Sequence, residues 1–315
     1  MKIPVVLVTG FLGSGKTTLI ARLLQRPELG ETAVIVNELG EIGIDHHLLR
    51  RVDERTVLLA SGCVCCVLRG DLSDELRDLL DRRDAGEIPP FRRVLIETSG
   101  VAEPAPIVQT LLTDPLLPHH YSLKAVVATV DGQHGLRGHE ALRQVAAADT
   151  LVVTKADVGS PAALASLEAE LARINPTARI VRASFGEIDP ELLLARSEQD
   201  VRNSPAPIDG AEHRHDIEAV LLTLDRVIDW TSFGIWLTML LHARGFEILR
   251  IKGLLDTGGE GPLLLDCVQH AVHPPVHLET WPDEDRRSRL VFIGVGLGCA
   301  LLERSLAAFD AVAHR

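Results

Sequence analysis

Eight residues constrain this chain more than any others: Gly10-Phe11-Leu12-Gly13-Ser14-Gly15-Lys16-Thr17. They match the spacing G-x-x-x-x-G-K-[ST] at every specified position. The flanks agree with it. Ile3 to Thr9 is a short β-branched, apolar run that reads as a strand, and Thr18 to Gln25 reads as a helix with Leu19, Leu23 and Leu24 on one face. A strand, a glycine loop and a helix in that order form a seat for a triphosphate. Backbone N–H groups at a helix N-terminus bind a dense anion. Gly10, Gly13, Ser14 and Gly15 supply the loop, and glycine lets the backbone approach phosphate without a Cβ clash. Lys16 is placed to reach the β- and γ-phosphates, the Thr17 hydroxyl to ligate Mg²⁺, and Thr18 to continue the seat.

Residues 1–200 go on alternating strand and helix patterns. Strands are expected near Ala33–Asn37, Arg93–Glu97, Ala125–Val130, Leu151–Thr154 and Arg179–Arg182. Most are Val/Ile/Leu runs without alternation, the pattern of parallel strands covered on both faces. Helical spacing falls at 72–84, 104–113, 138–147 and 161–173. The expectation is an α/β domain, doubly wound on a mostly parallel sheet, with ligands at the carboxyl ends of its strands. A polar stretch with Pro205, Pro207 and Gly210 reads as a linker over 201–215. From Asp216 the pattern changes to a smaller α+β domain over 216–315. Its strands are expected at Ile217–Leu224, Glu247–Leu255, Leu263–Gln269 and Leu290–Val295, and its helices at Thr231–Ala243 and Cys299–Ala313.

Four further stretches carry chemistry. Glu97-Thr98-Ser99-Gly100 closes the strand at Arg93–Glu97, where an acid in a nucleotide hydrolase orders the attacking water or the Mg²⁺ shell and the Gly100 N–H senses the γ-phosphate. Thr154-Lys155-Ala156-Asp157 resembles the guanine-reading N-K-x-D motif with Thr in place of Asn. Two carboxylate oxygens on Asp157 match the N1–H and exocyclic amine of guanine, a donor pair that adenine lacks. Cys63, Cys65 and Cys66 form a C-x-C-C cluster of soft thiolates suited to Zn²⁺ or Cu(I). Asn37-Glu38-Leu39-Gly40-Glu41-Ile42-Gly43-Ile44-Asp45 follows the second strand and reads as a nucleotide-sensing loop, with Glu38 or Glu41 able to reach Mg²⁺ or a thiolate-bound metal.

Together and in this order, residues 10–18, 37–45, 62–66, 97–100 and 154–157 resemble the CobW-like GTPases, metallochaperones related to GTP-dependent nickel- and cobalamin-enzyme assembly factors. The stretch 252–294 is similar to that family's C-terminal domain, so the resemblance spans nearly the whole chain. It implies hydrolysis of GTP to GDP and phosphate, with Lys16 and Glu97 as catalytic residues. It implies zinc held by Cys63, Cys65 and Cys66, with Glu41 near the metal, and GTP-dependent delivery to a metal-requiring client protein. Val36 stands where some members carry an acid. Only His213 and His215 remain where many carry a His-rich segment between domains, which weakens a storage role. The alternatives are a nucleotide-gated zinc sensor without delivery, and a small-molecule kinase with a structural zinc.

Composition excludes other classes. A net charge of −12 argues against a general nucleic-acid binder. No apolar run reaches the length of a membrane span. A strand within a few residues of the start leaves no room for a signal peptide, so the expected compartment is the cytoplasm. In a reducing compartment the clustered cysteines read as a metal site, and Cys267 and Cys299 as small core residues. His270 and His273 are expected in structural or surface roles, and Gly294–Gly298 as a turn. A homo-oligomer is compatible with all of this.

Overall fold

A computed structural model describes residues 2–36, 57–60, 70–194 and 216–313. Two compact units form, Met1–Glu170 with Ala178–Arg196, and Leu171–Thr177 with Ser197–Arg315. Among the described residues no helix is long and apolar enough to cross a membrane.

The first unit is built in the order β1 (Ile3–Gly10), α1 (Lys16–Leu23), β2 (Thr32–Val36), β3 (Val57–Ala60), α2 (Gly70–Asp84), β4 (Arg93–Glu97), α3 (Pro104–Thr113), α4 (Leu117–His120), β5 (Tyr121–Asp131), α5 (Gly138–Ala147), β6 (Thr150–Thr154), α6 (Pro161–Ile174, whose residues from Leu171 on belong to the second unit), β7 (Arg179–Arg182) and α7 (Pro190–Leu194). Its seven strands lie in the order β3-β2-β4-β1-β5-β6-β7, with every pairing parallel. This is the doubly wound sheet expected of unalternated apolar strands. Val6, Val8, Val34, Val36, Leu95 and Val127 join Leu19, Ile20 and Leu23 of α1 in one core. The intervening Val5, Leu7, Ile35, Val94 and Ile96 are buried as well, so both faces are covered. Each of these side chains contributes about 1.5–3 kcal/mol by leaving water.

The topology decides where the chemistry gathers. β4 sits between β2 and β1, and β5 lies on the other side of β1. The loop after β1 therefore has the end of β4 on one flank and the end of β5 on the other. In register, Val8 pairs with Glu97 and Gly10 with Thr129.

Several elements depart from expectation. β5 begins at Tyr121, four positions before the expected Ala125, because Tyr121 and Leu123 turn inward and continue the strand. α2 begins at Gly70. β3, α4 and α7 carry four or five residues each. Runs that short lack the periodicity that separates a buried strand from a helical turn.

The second unit is an antiparallel sheet with two helices: β8 (Ile217–Leu224), α8 (Trp230–Arg244), β9 (Ile248–Leu255), β10 (Leu263–Val268), β11 (Ala271–Val272), β12 (Val276–His277), β13 (Ser288–Val295) and α9 (Cys299–Ala313). The strand order is β11-β10-β9-β13-β8, with β12 also on β10. Trp236 of α8 holds its centre. Its ring lies 5.3 Å from Phe233 and 6.5 Å from Phe292, and its N–H donates to Ser305 Oγ at 3.1 Å. Cys267 is wholly buried in this core, and burial pushes its thiol far up, so it is the inert packing residue expected. Cys299 is half-buried and donates to the Leu221 carbonyl. His273 is buried and His270 packs edge-on against Phe246, both structural as expected. Gly294 continues β13, and Gly296 and Gly298 make the left-handed turn after it.

Candidate nucleotide site

The loop between β1 and α1 is held by its neighbours more than by itself. A Cβ on Gly10 would collide with Thr129 and come within 2.8 Å of the Ser14 hydroxyl. A Cβ on Gly100 would stand 2.6 Å from the Leu12 nitrogen. These two positions are glycine because backbones meet there. The Ser14 hydroxyl lies 2.6 Å from the Thr129 hydroxyl of β5. α1 opens on Gly15, with no side-chain cap and no acidic residue in its first turn. The positive end of its dipole therefore faces the loop with no acidic residue of its own first turn against it.

Lys16 and Thr17 follow at once. The Lys16 side chain is nearly buried, and its ammonium donates to the Gly10 carbonyl at 2.9 Å and the Phe11 carbonyl at 3.3 Å. The Thr17 hydroxyl donates to Glu97 Oε1 at 2.6 Å. Glu97 is 3% exposed at the end of β4. Beside it the Thr98 hydroxyl donates to the Thr9 hydroxyl at 2.9 Å, and the Thr98 N–H to the Val8 carbonyl. The turn at Gly100 is pinned by buried Gln144 of α5, whose amide donates to the carbonyls of Gly100 at 3.1 Å and Ala102 at 3.0 Å. A cationic amine, a hydroxyl and a carboxylate thus converge at the head of a glycine loop. A hydroxyl beside a carboxylate is a hard-oxygen pair, the donor chemistry that Mg²⁺ selects.

The motif after β6 lies on the other flank. The Thr154 hydroxyl donates to the Ser14 carbonyl at 2.6 Å and the Val130 carbonyl at 3.1 Å, so this side chain ties β6 to the loop. Lys155 adopts the left-handed backbone at φ 53°, and its ammonium donates to the Gly13 carbonyl at 2.9 Å and to Asp131 Oδ2 at 2.7 Å. Asp157 is exposed. The loop after β7 adjoins this motif, because the Ala156 N–H donates to the Ala183 carbonyl. It presents Phe185, 68% exposed and also left-handed at φ 55°.

Asp131 is the residue here that no motif announced. Its Oδ1 accepts from the N–H groups of Gln133 and His134, and its Oδ2 from Lys155 and His134 Nδ1. Burial works against its charge, yet these hydrogen bonds hold its carboxyl down at about 2. A cavity of about 220 Å³ opens along this flank, lined among others by Phe11, Gly13, Ser14, Asp131 and Lys155. Lys16, Thr17 and Asp157 do not line it, so it flanks the loop and is not the phosphate seat itself.

The structure thus brings Gly10, Gly13, Ser14, Gly15, Lys16, Thr17, Glu97, Gly100, Thr154 and Lys155 around one loop, with Thr18 in the first turn of α1. Glu41, Cys63, Cys65, Cys66, the loop 37–45 and the linker 201–215 lie outside the described residues. Among the described residues, no group of three or more His, Cys, Asp or Glu could hold a metal ion. Thr129, Asp131 and Gln144 escaped the sequence reading. The one signal for Asp131 was an acid at the end of a strand expected to be parallel.

Comparison with known proteins gives the same frame. The zinc chaperone YjiA of Escherichia coli strain K12 is 36% identical over 304 residues, covering 94% of this chain and 95% of its own. The zinc chaperone CobW of Pseudomonas aeruginosa is 34% identical, covering 97% and 91%. The crystal structure of the Zn(II)-bound YjiA GTPase from E. coli matches with a TM-score of 0.76 at 31% identity, over 98% of this chain and 99% of that one. A Zn(II)-bound YjiA variant with one glutamate and two cysteines replaced by alanine matches equally well, at 0.76 and 30%. Residues 4–182 match the CobW/HypB/UreG nucleotide-binding domain and residues 217–310 the cobalamin synthesis protein cobW C-terminal domain. With its phosphate loop, its β4 acid and both domains matched, the chain belongs to the CobW family of nucleotide-binding proteins.

Proposed function

We propose that this protein hydrolyses GTP and uses the cycle to load zinc, held by Cys63, Cys65 and Cys66 with Glu41 nearby, into a metal-requiring client protein in the cytoplasm. The observation that carries the hydrolytic half is the 2.6 Å hydrogen bond from Thr17 to Glu97 at the head of the Lys16 loop. Zinc and the chaperone role are supported by relatives named for them.

In this reading the loop N–H groups and Lys16 bind the β- and γ-phosphates, and Lys16 stabilises charge as the terminal phosphoryl group departs. Thr17 and Glu97 are the residues that would hold Mg²⁺, which would supply positive charge against the phosphates. Glu97 also orders the water that attacks, Gly100 faces the γ-phosphate, and Asp157 reads guanine. The 201–215 segment links the catalytic domain to a C-terminal domain that meets the client or a second subunit.

The test is a zinc titration against a competing chelator, with GDP and with a non-hydrolysable GTP analogue. Coupling between two sites is reciprocal and typically about 5- to 150-fold, so zinc affinity is expected to differ at least about fivefold between the two nucleotides. Equal affinity within about twofold would replace delivery by a structural zinc that ignores nucleotide. The YjiA variant described as Zn(II)-bound lacks two cysteines. The readout is therefore the zinc lost when Cys63, Cys65 and Cys66 are changed together to serine, rather than total zinc.

A further inference from the structure

Lys155 has an unusual position to hold. Its backbone is left-handed, a conformation that costs free energy for any residue with a Cβ. Its long stem spans from the end of β6 to the Gly13 carbonyl while 39% of the side chain stays exposed. A free lysine stem at that exposure samples many rotamers, and fixing it carries an entropic cost. Two acceptors fix the ammonium here, one a neutral carbonyl of the loop and one the charged Asp131. The charged one is the stronger partner.

Asp131 is itself immobilised. Its side chain is 13% exposed, and the N–H groups of Gln133 and His134 anchor Oδ1 so that Oδ2 faces Lys155 and His134. The residue ends β5, directly beside β6, and pairs in register with Thr154. The sheet therefore delivers an oriented carboxylate to the lysine that precedes Asp157 by two positions.

We infer that Asp131 is a positioning residue for the nucleotide: it holds the Lys155 ammonium on the Gly13 carbonyl, so that the lysine stem stands as a fixed wall between the phosphate loop and the base read by Asp157. The inference rests on the guanine-nucleotide reading of residues 154–157. The wall touches nucleotide on the base side, away from the γ-phosphate. Its loss therefore weakens GDP and GTP alike and leaves the chemical step untouched.

Asp131→Asn isolates the effect. The remaining carbonyl oxygen still accepts from the Gln133 and His134 N–H groups, while an amide nitrogen replaces the acceptor facing Lys155. The expected result is a loss of about tenfold in affinity for GDP and for a non-hydrolysable GTP analogue, equal for both, with KM for GTP raised by the same factor and kcat unchanged. In a Lys155→Met background the same substitution is expected to change neither affinity, because no ammonium remains to be held. Asp131→Ser, which keeps an oxygen for the turn, gives the same pattern and serves if the asparagine variant folds poorly. An equal loss with and without Lys155 would overturn the proposal, as would a fall in kcat at constant KM. Unaltered GDP affinity in Asp131→Asn, with tight binding by the wild type, removes the positioning role alone. A wild type with no affinity for guanine nucleotides removes the reading beneath it as well.

Discussion

The two flanks of the phosphate loop solve the same problem differently. On the β4 flank a loop side chain meets a carboxylate: the Thr17 hydroxyl donates to Glu97, the pair to which the proposed function gives the metal. On the β5–β6 flank the side chains bond to the loop's own carbonyls, Thr154 to Ser14 and Lys155 to Gly13. In the proposed function the first flank is the reactive one and the second is scaffolding, and Asp157, to which that reading gives the base, is left exposed. The lesson concerns Thr154. In the position of an asparagine it need not touch the base, because its buried hydroxyl is spent on holding β6 against the loop. In the proposed function, guanine choice then falls to Asp157.

Substitutions separate the two flanks. The largest effect belongs to the reactive side. Lys16→Ala removes the charge facing the transferred phosphoryl group and is expected to lower GTP turnover by at least about 10²-fold, the size of losing one preorganised donor. Wild-type turnover in that variant, followed by phosphate release, would dissolve the distinction altogether. Next comes Asp157→Asn, in which one acceptor replaces two. The preference for GTP over ATP should shrink by about tenfold in competition binding, and an undiminished preference would move base reading to another residue.

Thr154→Val sharpens the contrast. It keeps the shape, deletes a buried donor, and strands the Ser14 carbonyl. A loss of about 1–3 kcal/mol is expected in denaturant unfolding, with the GTP-to-ATP ratio unchanged. A shifted ratio would return Thr154 to the base-reading set. The smallest effect is acid sensitivity on the scaffold side. Asp131 titrates at about 2 in the folded protein, below its unfolded value. Its stabilisation is therefore full above about pH 4 and is lost as pH falls toward 2. Asp131→Asn should flatten that part of the stability–pH curve, and an unchanged acid limb would mean the carboxylate gains nothing from its partners.

How much of this was legible beforehand depends on whether a function is local in the chain. The phosphate loop is eight consecutive residues, and its glycines, lysine and threonine announce themselves. Glu97 and Asp157 stood out because each belongs to a recognisable tetrapeptide at the end of an apolar strand, Glu97 as the last residue of β4 and Asp157 three positions beyond β6. The parallel sheet followed from Val- and Ile-rich runs without alternation, and the second unit from the change of pattern after Asp216. β3 and the two-residue strands β11 and β12 were too short to carry a period.

Local pattern is therefore what the sequence by itself determined: a glycine loop of the nucleotide-binding type, an acid closing a nearby strand, a T-K-x-D tetrapeptide and a sheet able to present them on one edge. The tertiary structure alone decided which distant residues serve that edge. Ser14 meets Thr129 across 115 positions and Lys155 meets Gly13 across 142, because β1, β5 and β6 run side by side. Nothing near Thr129 or Gln144 in the chain marks them, and Asp131 is marked only by its place at a strand end. Their roles arise from strand order and register, and register is set by which faces the whole sheet can bury.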